Sequence, residues 1–117
     1  MSAWWREWAA ARGLSEDQSH RGELCLNEVI GNIIQHGGGA VPSLTIEVTL
    51  ESAAQSVHVT IADDGIPFDP VEYSMQKPRH EPGTGSSGGL GIDVTRTYAS
   101  GIAYRRRDGW NVLTLIL

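Results

Sequence analysis

The chain has 117 residues, which suffices for one compact domain with a single core but not for a catalytic domain plus a second folded module. Its 14 acidic and 9 basic residues give a formal charge of -5 without a basic face, so nucleic acid is not the expected partner. The single cysteine, Cys25, excludes an internal disulfide and favours a reducing compartment. Because no long apolar run indicates a signal peptide or membrane span, we expect a cytoplasmic protein without a membrane partner.

A short amphipathic helix is predicted over residues 3–12. These residues are good helix formers, and Gly13 is typical of a helix end. Trp4, Trp5 and Trp8 are expected on one side of this helix. We expect that side to pack in the core, although it could instead belong to a docking surface.

A second, longer helix is predicted to begin near Ser15. Ser15 and Gln18 have the spacing of a capping box, in which each side chain bonds the backbone amide of the other residue. The helix should end near His36, because the glycines of residues 37–39 follow. Apolar residues recur along it at helical spacing: Leu26, Val29, Ile30 and Ile33.

Two strands are predicted in the middle of the chain. Residues 44–51 alternate between apolar and polar side chains, as in a strand that is buried on one face. Residues 57–63 repeat the alternation after a turn-like segment at 52–55. The two strands therefore predict an antiparallel hairpin that ends at Asp63.

The second half of the chain is predicted to begin with a long loop over residues 66–88, rich in proline and glycine. Loops of this length are usually functional, so we interpret it as a lid. A helix is predicted over residues 91–99 and a strand over 102–106. The turn 108–109 then leads into a last strand over 110–117.

This order of elements predicts a single α+β domain over residues 1–117. Helices and strands are segregated along the chain, which favours a two-layer α/β sandwich. We expect a mainly antiparallel or mixed sheet with the helices on one face.

Three polar residues follow each other at helical spacing on the second helix: Glu28, Asn32 and His36. Glu28 could accept a proton from an attacking hydroxyl or water. The Asn32 side-chain oxygen could bind Mg²⁺ if substrate phosphates and waters complete the octahedron, and His36 could donate to a phosphate oxygen. From the helix alone, the alternative is that all three merely solvate its edge.

Asp63 and Gly65 stand where the second strand runs into a turn. The Asp63 carboxylate could accept an exocyclic amine while Gly65 lets a flat ring approach, which suits adenine better than guanine. The same residues are also compatible with an ordinary turn.

A second glycine motif comprises Gly88, Gly89, Leu90 and Gly91, just before a predicted helix. Backbone amides and a helix N-terminus at that point would suit phosphate oxygens. The alternative is a hinge of the loop. The motif is neither a Walker loop nor a dinucleotide fingerprint, because it lacks the lysine of the first and the βαβ context of the second.

Together, these motifs resemble the N box and the two glycine boxes of the Bergerat-fold (GHKL) ATPases. That superfamily includes gyrase, heat-shock chaperone ATPases, mismatch-repair ATPases and sensor histidine kinases. The small size, the continuation to His36 and the stretch from Asp63 to Pro70 look most like the bacterial anti-sigma factor serine/threonine kinases.

The resemblance implies a Bergerat-type fold, ATP and Mg²⁺ as cofactors, and a role for each matched residue. Glu28 would be the catalytic base, Asn32 would bind the metal, and Asp63 would bind adenine beside Gly65. His36 and the motif from Gly88 to Gly91 would lie at the phosphates. Relatives often place an adenine-supporting threonine near Asn111, and we leave that position unassigned.

The function implied by the resemblance is an ATP-dependent protein serine kinase of a partner-switching pathway. Its partners would be a sigma factor and a small antagonist protein that is phosphorylated on serine, and the resemblance also suggests a homodimer. One alternative is a catalytically weak module that uses ATP to bind a partner. Another is a histidine-kinase-type catalytic domain that acts on a separate chain.

Overall fold

The computed structural model describes residues 3–37, 44–53, 56–72, 95 and 97–117. Within these ranges the chain forms two α-helices, a π-helical turn and one four-stranded sheet, and the other helical residues are 70–72, 95 and 97–98. The elements are α1 (Ala3–Ala11), α2 (Glu16–Asn32), the π-turn (Ile33–Gly37), β1 (Ile46–Ala53), β2 (Ser56–Asp63), β3 (Gly101–Arg107) and β4 (Trp110–Ile116).

Helix α2 begins with the capping box that the sequence indicated. The Gln18 amide donates to the Ser15 hydroxyl oxygen at 3.1 Å, and the Ser15 amide donates to the Gln18 side chain at 2.9 Å. The helical segment reaches the predicted end, but its α-helical part stops at Asn32 and the π-turn completes it. Since a π-turn pairs residues five apart, the α-helical spacing expected for His36 is wrong.

Helix α1 packs on α2 through Trp5. The Trp5 ring is fully buried, and its Nε1 donates to the Ser19 carbonyl at 2.8 Å. The ring lies against Gly22, where an added Cβ would overlap it. At the surface, the Arg6 guanidinium makes two hydrogen bonds to the Glu23 carboxylate, at 2.7 and 2.8 Å. Close contact between the two helices therefore depends on a glycine.

The three tryptophans of α1 do not share one buried face. Trp8 is half-buried and stacks on Trp5, with 5.8 Å between ring centroids, but Trp4 is 40% exposed. Neighbouring residues on a helix point about 100° apart, so the face that buries Trp5 carries Trp8 more readily than Trp4. The expectation of core packing is wrong for Trp4.

The sheet has the order β1-β2-β4-β3, and every neighbouring pair is antiparallel. The β1–β2 hairpin ends at Asp63 as predicted, although β1 starts two residues later than expected, at Ile46. In the turn between β3 and β4, Asp108 and Gly109 both have positive φ angles, of 52° and 85°, as a tight hairpin requires. The prediction of a mainly antiparallel sheet is confirmed.

The core lies between the helices and one face of the sheet. Helices α1 and α2 contribute apolar side chains that include the buried thiol of Cys25, and alternate residues of β2 and β4 meet them. The buried core comprises Trp5, Ala9, Cys25, Leu26, Val29, Ile33, Val57, Val59, Ile61, Leu113 and Leu115. This two-layer α+β arrangement confirms the predicted fold class. None of the helices in the described ranges is long and apolar enough to span a bilayer.

Several predictions fall largely outside the described residues. Of the lid expected over 66–88, only residues 66–72 are described, and they contain no strand. Of the helix expected over 91–99, residues 95, 97 and 98 are described and are helical. The single-domain assignment stays a prediction.

The contact between Trp5 and Gly22 generates a stability prediction. Gly22→Ala should lower the free energy of unfolding by about 1–3 kcal/mol, because the new methyl group overpacks the Trp5 ring. The matched control is Gly31→Ala in the same helix, where an added Cβ meets nothing within 4 Å. It should raise stability by up to about 1 kcal/mol through helix propensity. Urea denaturation measures both, and equal effects of the two substitutions would contradict the packing account.

Candidate functional site

Polar residues of three neighbouring strands meet at one end of the sheet. Asp63 at the end of β2 pairs with Asn111 of β4, and Asn111 pairs on its other side with Arg106 of β3. Asp63 is 3% exposed and Asn111 is 4% exposed. Buried polar groups of this kind require hydrogen-bond partners.

Asn111 uses its whole side-chain amide in hydrogen bonds. Its Nδ2 donates to Asp63 Oδ1 at 2.9 Å and to the Ile66 carbonyl at 2.8 Å. Its Oδ1 accepts from the Phe68 amide at 3.2 Å and from the Tyr104 hydroxyl at 2.6 Å. One side chain of β4 thereby joins strands β2 and β3 to the segment that follows Asp63.

The segment after Asp63 is also held by its own contacts. The Gly65 amide donates to Asp63 Oδ1 at 3.0 Å, and Arg106 donates to the Gly65 carbonyl at 2.8 Å. Further along, Asp69 Oδ1 accepts from the amides of Val71 and Glu72. Residues 64–72 are therefore tied to the sheet and to themselves at several points.

Both hydrogen bonds to the Asp63 side chain end on the same oxygen. Oδ1 accepts from Gly65 and Asn111, whereas Oδ2 accepts no hydrogen bond from any residue in the described ranges. A carboxylate can accept several hydrogen bonds. Among the described residues, the second oxygen of Asp63 thus keeps its capacity to accept a hydrogen bond.

The neighbouring carboxylate of Asp64 has a different task. Its Oδ1 accepts from the Thr45 amide at 2.7 Å, and its own amide donates to the Thr45 carbonyl at 3.2 Å. These bonds hold the residue that precedes β1. Of the two adjacent acids, Asp63 faces the site and Asp64 secures the sheet edge.

A cavity separates the end of α2 from this end of the sheet. It brings Asn32, which is 6% exposed, to the same space as Asp63. Its volume is about 10 Å³, room for about one water molecule. Its described walls are formed by Val29, Asn32, Ile33, Asp63, Phe68, Pro70, Tyr104, Asn111 and Leu113.

The His36 ring packs against Phe68, a residue of the cavity wall. Their rings stack with 4.9 Å between centroids and 17° between planes, and Phe68 lines the cavity. A flat ring larger than water can therefore occupy this cavity only if neighbouring side chains shift. The Phe68 amide donates to Asn111 Oδ1, so the backbone of this cavity residue is held to β4.

The structure brings some of the predicted site residues together. Asn32, Asp63 and the buried Gly65 lie at or beside the cavity. Glu28, one turn before Asn32, is half-buried and does not belong to the described cavity walls. The glycine motif of residues 88–91 lies outside the described residues, so its phosphate role stays a prediction.

Three functional candidates were not among the sequence-based site residues: Tyr104, Arg106 and Asn111. The register of the β3–β4 hairpin places Arg106 opposite Asn111, and the Asp108–Gly109 turn is a sequence signal for that register. The pairing of β2 with β4 carries no comparable local signal. Burial raises the pKa of the Tyr104 hydroxyl, so this group stays protonated and donates to Asn111 near neutral pH.

Comparisons with known proteins agree with this fold. Residues 1–117 match the family described as the histidine kinase-like ATPase domain. The serine/threonine-protein kinase BtrW of Bordetella bronchiseptica is 33% identical over 92 residues, which are 79% of this chain and 65% of that protein. The chain thus spans about two thirds of the length of this curated relative.

A solved structure is similar to this chain in fold alone. It is the histidine kinase domain of the blue-light-activated histidine kinase of Erythrobacter litoralis EL346. The two chains superpose with a TM-score of 0.64 at 16% sequence identity, over 86% of this chain and 44% of that one.

Proposed function

The chain belongs to the family of histidine kinase-like ATPase domains, and from this premise we propose that it binds ATP and phosphorylates a serine of a partner protein. The observation that carries the proposal is the buried carboxylate of Asp63 at the cavity, with one oxygen occupied and the other available. A family of ATPases and a cavity with a buried acceptor together favour a nucleotide site.

Asp63 is the proposed adenine-binding residue. Its Oδ2 accepts a hydrogen bond from the exocyclic amine of adenine, and Gly65 beside it leaves space for the ring. The cavity has room for about one water, so the base requires a shift of side chains that line it, among them Phe68, which stacks on His36. Nucleotide binding thus involves a local rearrangement at the end of α2 and in the segment after β2.

Asn32 is the proposed protein ligand of Mg²⁺. Its side chain is almost fully buried at the cavity, and a neutral amide oxygen suits a cation that is bound mainly by phosphates and water. Among the described residues no three His, Cys, Asp or Glu side chains are placed to hold a metal ion. The Asn32 amide oxygen fits a magnesium ion that arrives with the nucleotide, and that ion would neutralise phosphate charge.

Glu28 is the proposed general base. It lies one helical turn before Asn32 and is half-buried, so it can face a substrate held at the cavity. Its carboxylate accepts the proton of the serine hydroxyl while the serine oxygen forms its bond to the γ-phosphorus and the bond from that phosphorus to ADP breaks. His36 and the glycines of residues 88–91 are proposed for the phosphate side.

The partner-switching role is the finer part of the proposal. A relative named as a serine/threonine kinase supports serine as the acceptor, and the motifs resemble anti-sigma factor kinases. The proposed partners are accordingly a sigma factor and a small antagonist protein, with the reaction in the cytoplasm. A homodimer belongs to the same proposal.

A second candidate function is favoured by the small cavity. Because the base must displace side chains, nucleotide exchange is expected to be slow, which suits a module that uses ATP to hold a partner with little turnover. Such a module would bind ATP through the same Asp63. It differs from the kinase in that its function does not need Glu28.

The proposed adenine contact predicts a loss of affinity in Asp63→Asn. ATP should bind about ten- to a hundredfold more weakly, because a hydrogen bond to a charged acceptor is worth roughly 1.5–3 kcal/mol. The matched control is Asp64→Asn, since Asp64 bonds Thr45 and does not line the cavity. Titration calorimetry measures both variants. An equal loss of affinity in both would remove the specific role of Asp63.

The proposed base predicts a loss of transfer in Glu28→Gln. ATP affinity should stay near that of the parent, while phosphate transfer to the antagonist protein falls by about two orders of magnitude or more. Glu47→Gln, on the exposed side of β1, is the control and should behave like the parent. Single-turnover transfer from radiolabelled ATP measures the rate. Transfer by Glu28→Gln at the parent rate would place the base elsewhere, and no transfer by the parent would favour the binding module.

A further inference from the structure

We propose that Asn111 is a positioning residue that fixes the orientation of the side chain at position 63, so that one of its atoms accepts from Asn111 and the other faces the base. This inference rests on the proposed function, because it concerns the same nucleotide site. It goes beyond the adenine contact itself, since it assigns the orientation of residue 63 to a residue of β4 that is held by Tyr104 and by the segment after Asp63.

The orientation of the Asn111 amide is determined by three partners, each of which can be only a hydrogen-bond donor or only an acceptor. The Phe68 amide can only donate, so it requires Oδ1 of Asn111 at its position. The Ile66 carbonyl and the Asp63 carboxylate can only accept, so they require Nδ2. If the amide were flipped so that Oδ1 and Nδ2 exchanged places, all three hydrogen bonds would be lost. Donors would then face donors and acceptors would face acceptors.

Tyr104 completes this arrangement from β3. A hydroxyl can donate or accept, but the orientation of Asn111 leaves Tyr104 only the donor role, at 2.6 Å to Oδ1. Partial burial raises the pKa of this hydroxyl further above neutral pH, so it keeps its proton there. Tyr104 therefore helps to hold the Asn111 amide in this orientation.

The fixed amide in turn determines the task of each Asp63 oxygen. Two donors, the Gly65 amide at 3.0 Å and Asn111 Nδ2 at 2.9 Å, converge on Oδ1. A side chain at position 63 must place an acceptor there. The remaining atom, Oδ2 in the parent, is the one that can meet the base.

This constraint makes a counterintuitive prediction for Asp63→Asn. The new side chain has one oxygen and one nitrogen, and the oxygen must take the position that accepts from Gly65 and Asn111. The amide nitrogen then faces the base. It repels the exocyclic amine of adenine but donates to a carbonyl oxygen, which hypoxanthine carries at the same ring position.

The test compares ATP with inosine triphosphate, in which a carbonyl oxygen replaces the exocyclic amine. Dissociation constants are measured by titration calorimetry for the parent, Asp63→Asn, Asp63→Asn combined with Asn111→Leu, and Asp64→Asn. The parent and Asp64→Asn should prefer ATP by about tenfold or more. Asp63→Asn should prefer inosine triphosphate, by about tenfold in the opposite sense.

The combined variant tests Asn111 directly. Without the Asn111 donor, only the Gly65 amide still selects the oxygen of the side chain at position 63, so the inverted preference should fall from about tenfold to within about threefold. A merely structural role of Asn111 would weaken both nucleotides and leave the preference of Asp63→Asn unchanged. Should the combined variant not fold, Asp63→Asn combined with Tyr104→Phe replaces it and should reduce the inverted preference. Tyr98→Phe serves as the control for loss of an exposed tyrosine hydroxyl.

The outcomes separate the two proposals. A parent that binds neither nucleotide overturns the proposed function, and this inference with it. A parent that prefers ATP while Asp63→Asn also prefers ATP leaves the nucleotide site in place but overturns the role of Asn111. The proposed role of Asn111 is supported if Asp63→Asn prefers inosine triphosphate over ATP and the combined variant loses this preference.

Discussion

The hydrogen bond between Asp63 and Asn111 is the constraint around which the rest of the site is arranged. Both residues are buried at paired positions of β2 and β4, where an unpaired charge or amide would be costly. Their remaining donor and acceptor atoms therefore also need partners. Backbone groups of Gly65, Ile66 and Phe68, in the segment after Asp63, provide them. The same network satisfies these buried groups and leaves the second Asp63 oxygen without a hydrogen bond among the described residues, so the proposed adenine contact would use the contacts that also stabilise the fold.

The sequence was sufficient for much of the fold and for part of the site. Alternation of apolar residues located β2, and the capping box at Ser15 located the start of α2, because both signals are local. Asn111 and Tyr104 were missed because their partners depend on the pairing of β2 with β4, which joins residues 48 positions apart in the case of Asp63 and Asn111. Trp4 was misplaced because apolar character alone does not show how wide the buried face of a helix is.

The end of α2 shows how a small change of backbone geometry alters the predicted site. Glu28 and Asn32 keep their α-helical spacing, but the π-turn that follows moves His36 into a stack with Phe68. His36, which is expected at the phosphates, thereby contacts a residue of the cavity wall in the described structure. The cavity that Phe68 lines has room for about one water molecule in the described structure.

The most direct test of the account is calorimetric titration of the parent chain with ATP and GTP, in the presence and absence of Mg²⁺. The account predicts selective binding of ATP, since Asp63 offers an acceptor to the exocyclic amine, and tighter binding with Mg²⁺, since Asn32 and the phosphates would share the ion. Equal affinity for both nucleotides, or binding of neither, would contradict the central claim that this end of the sheet is an adenine nucleotide site.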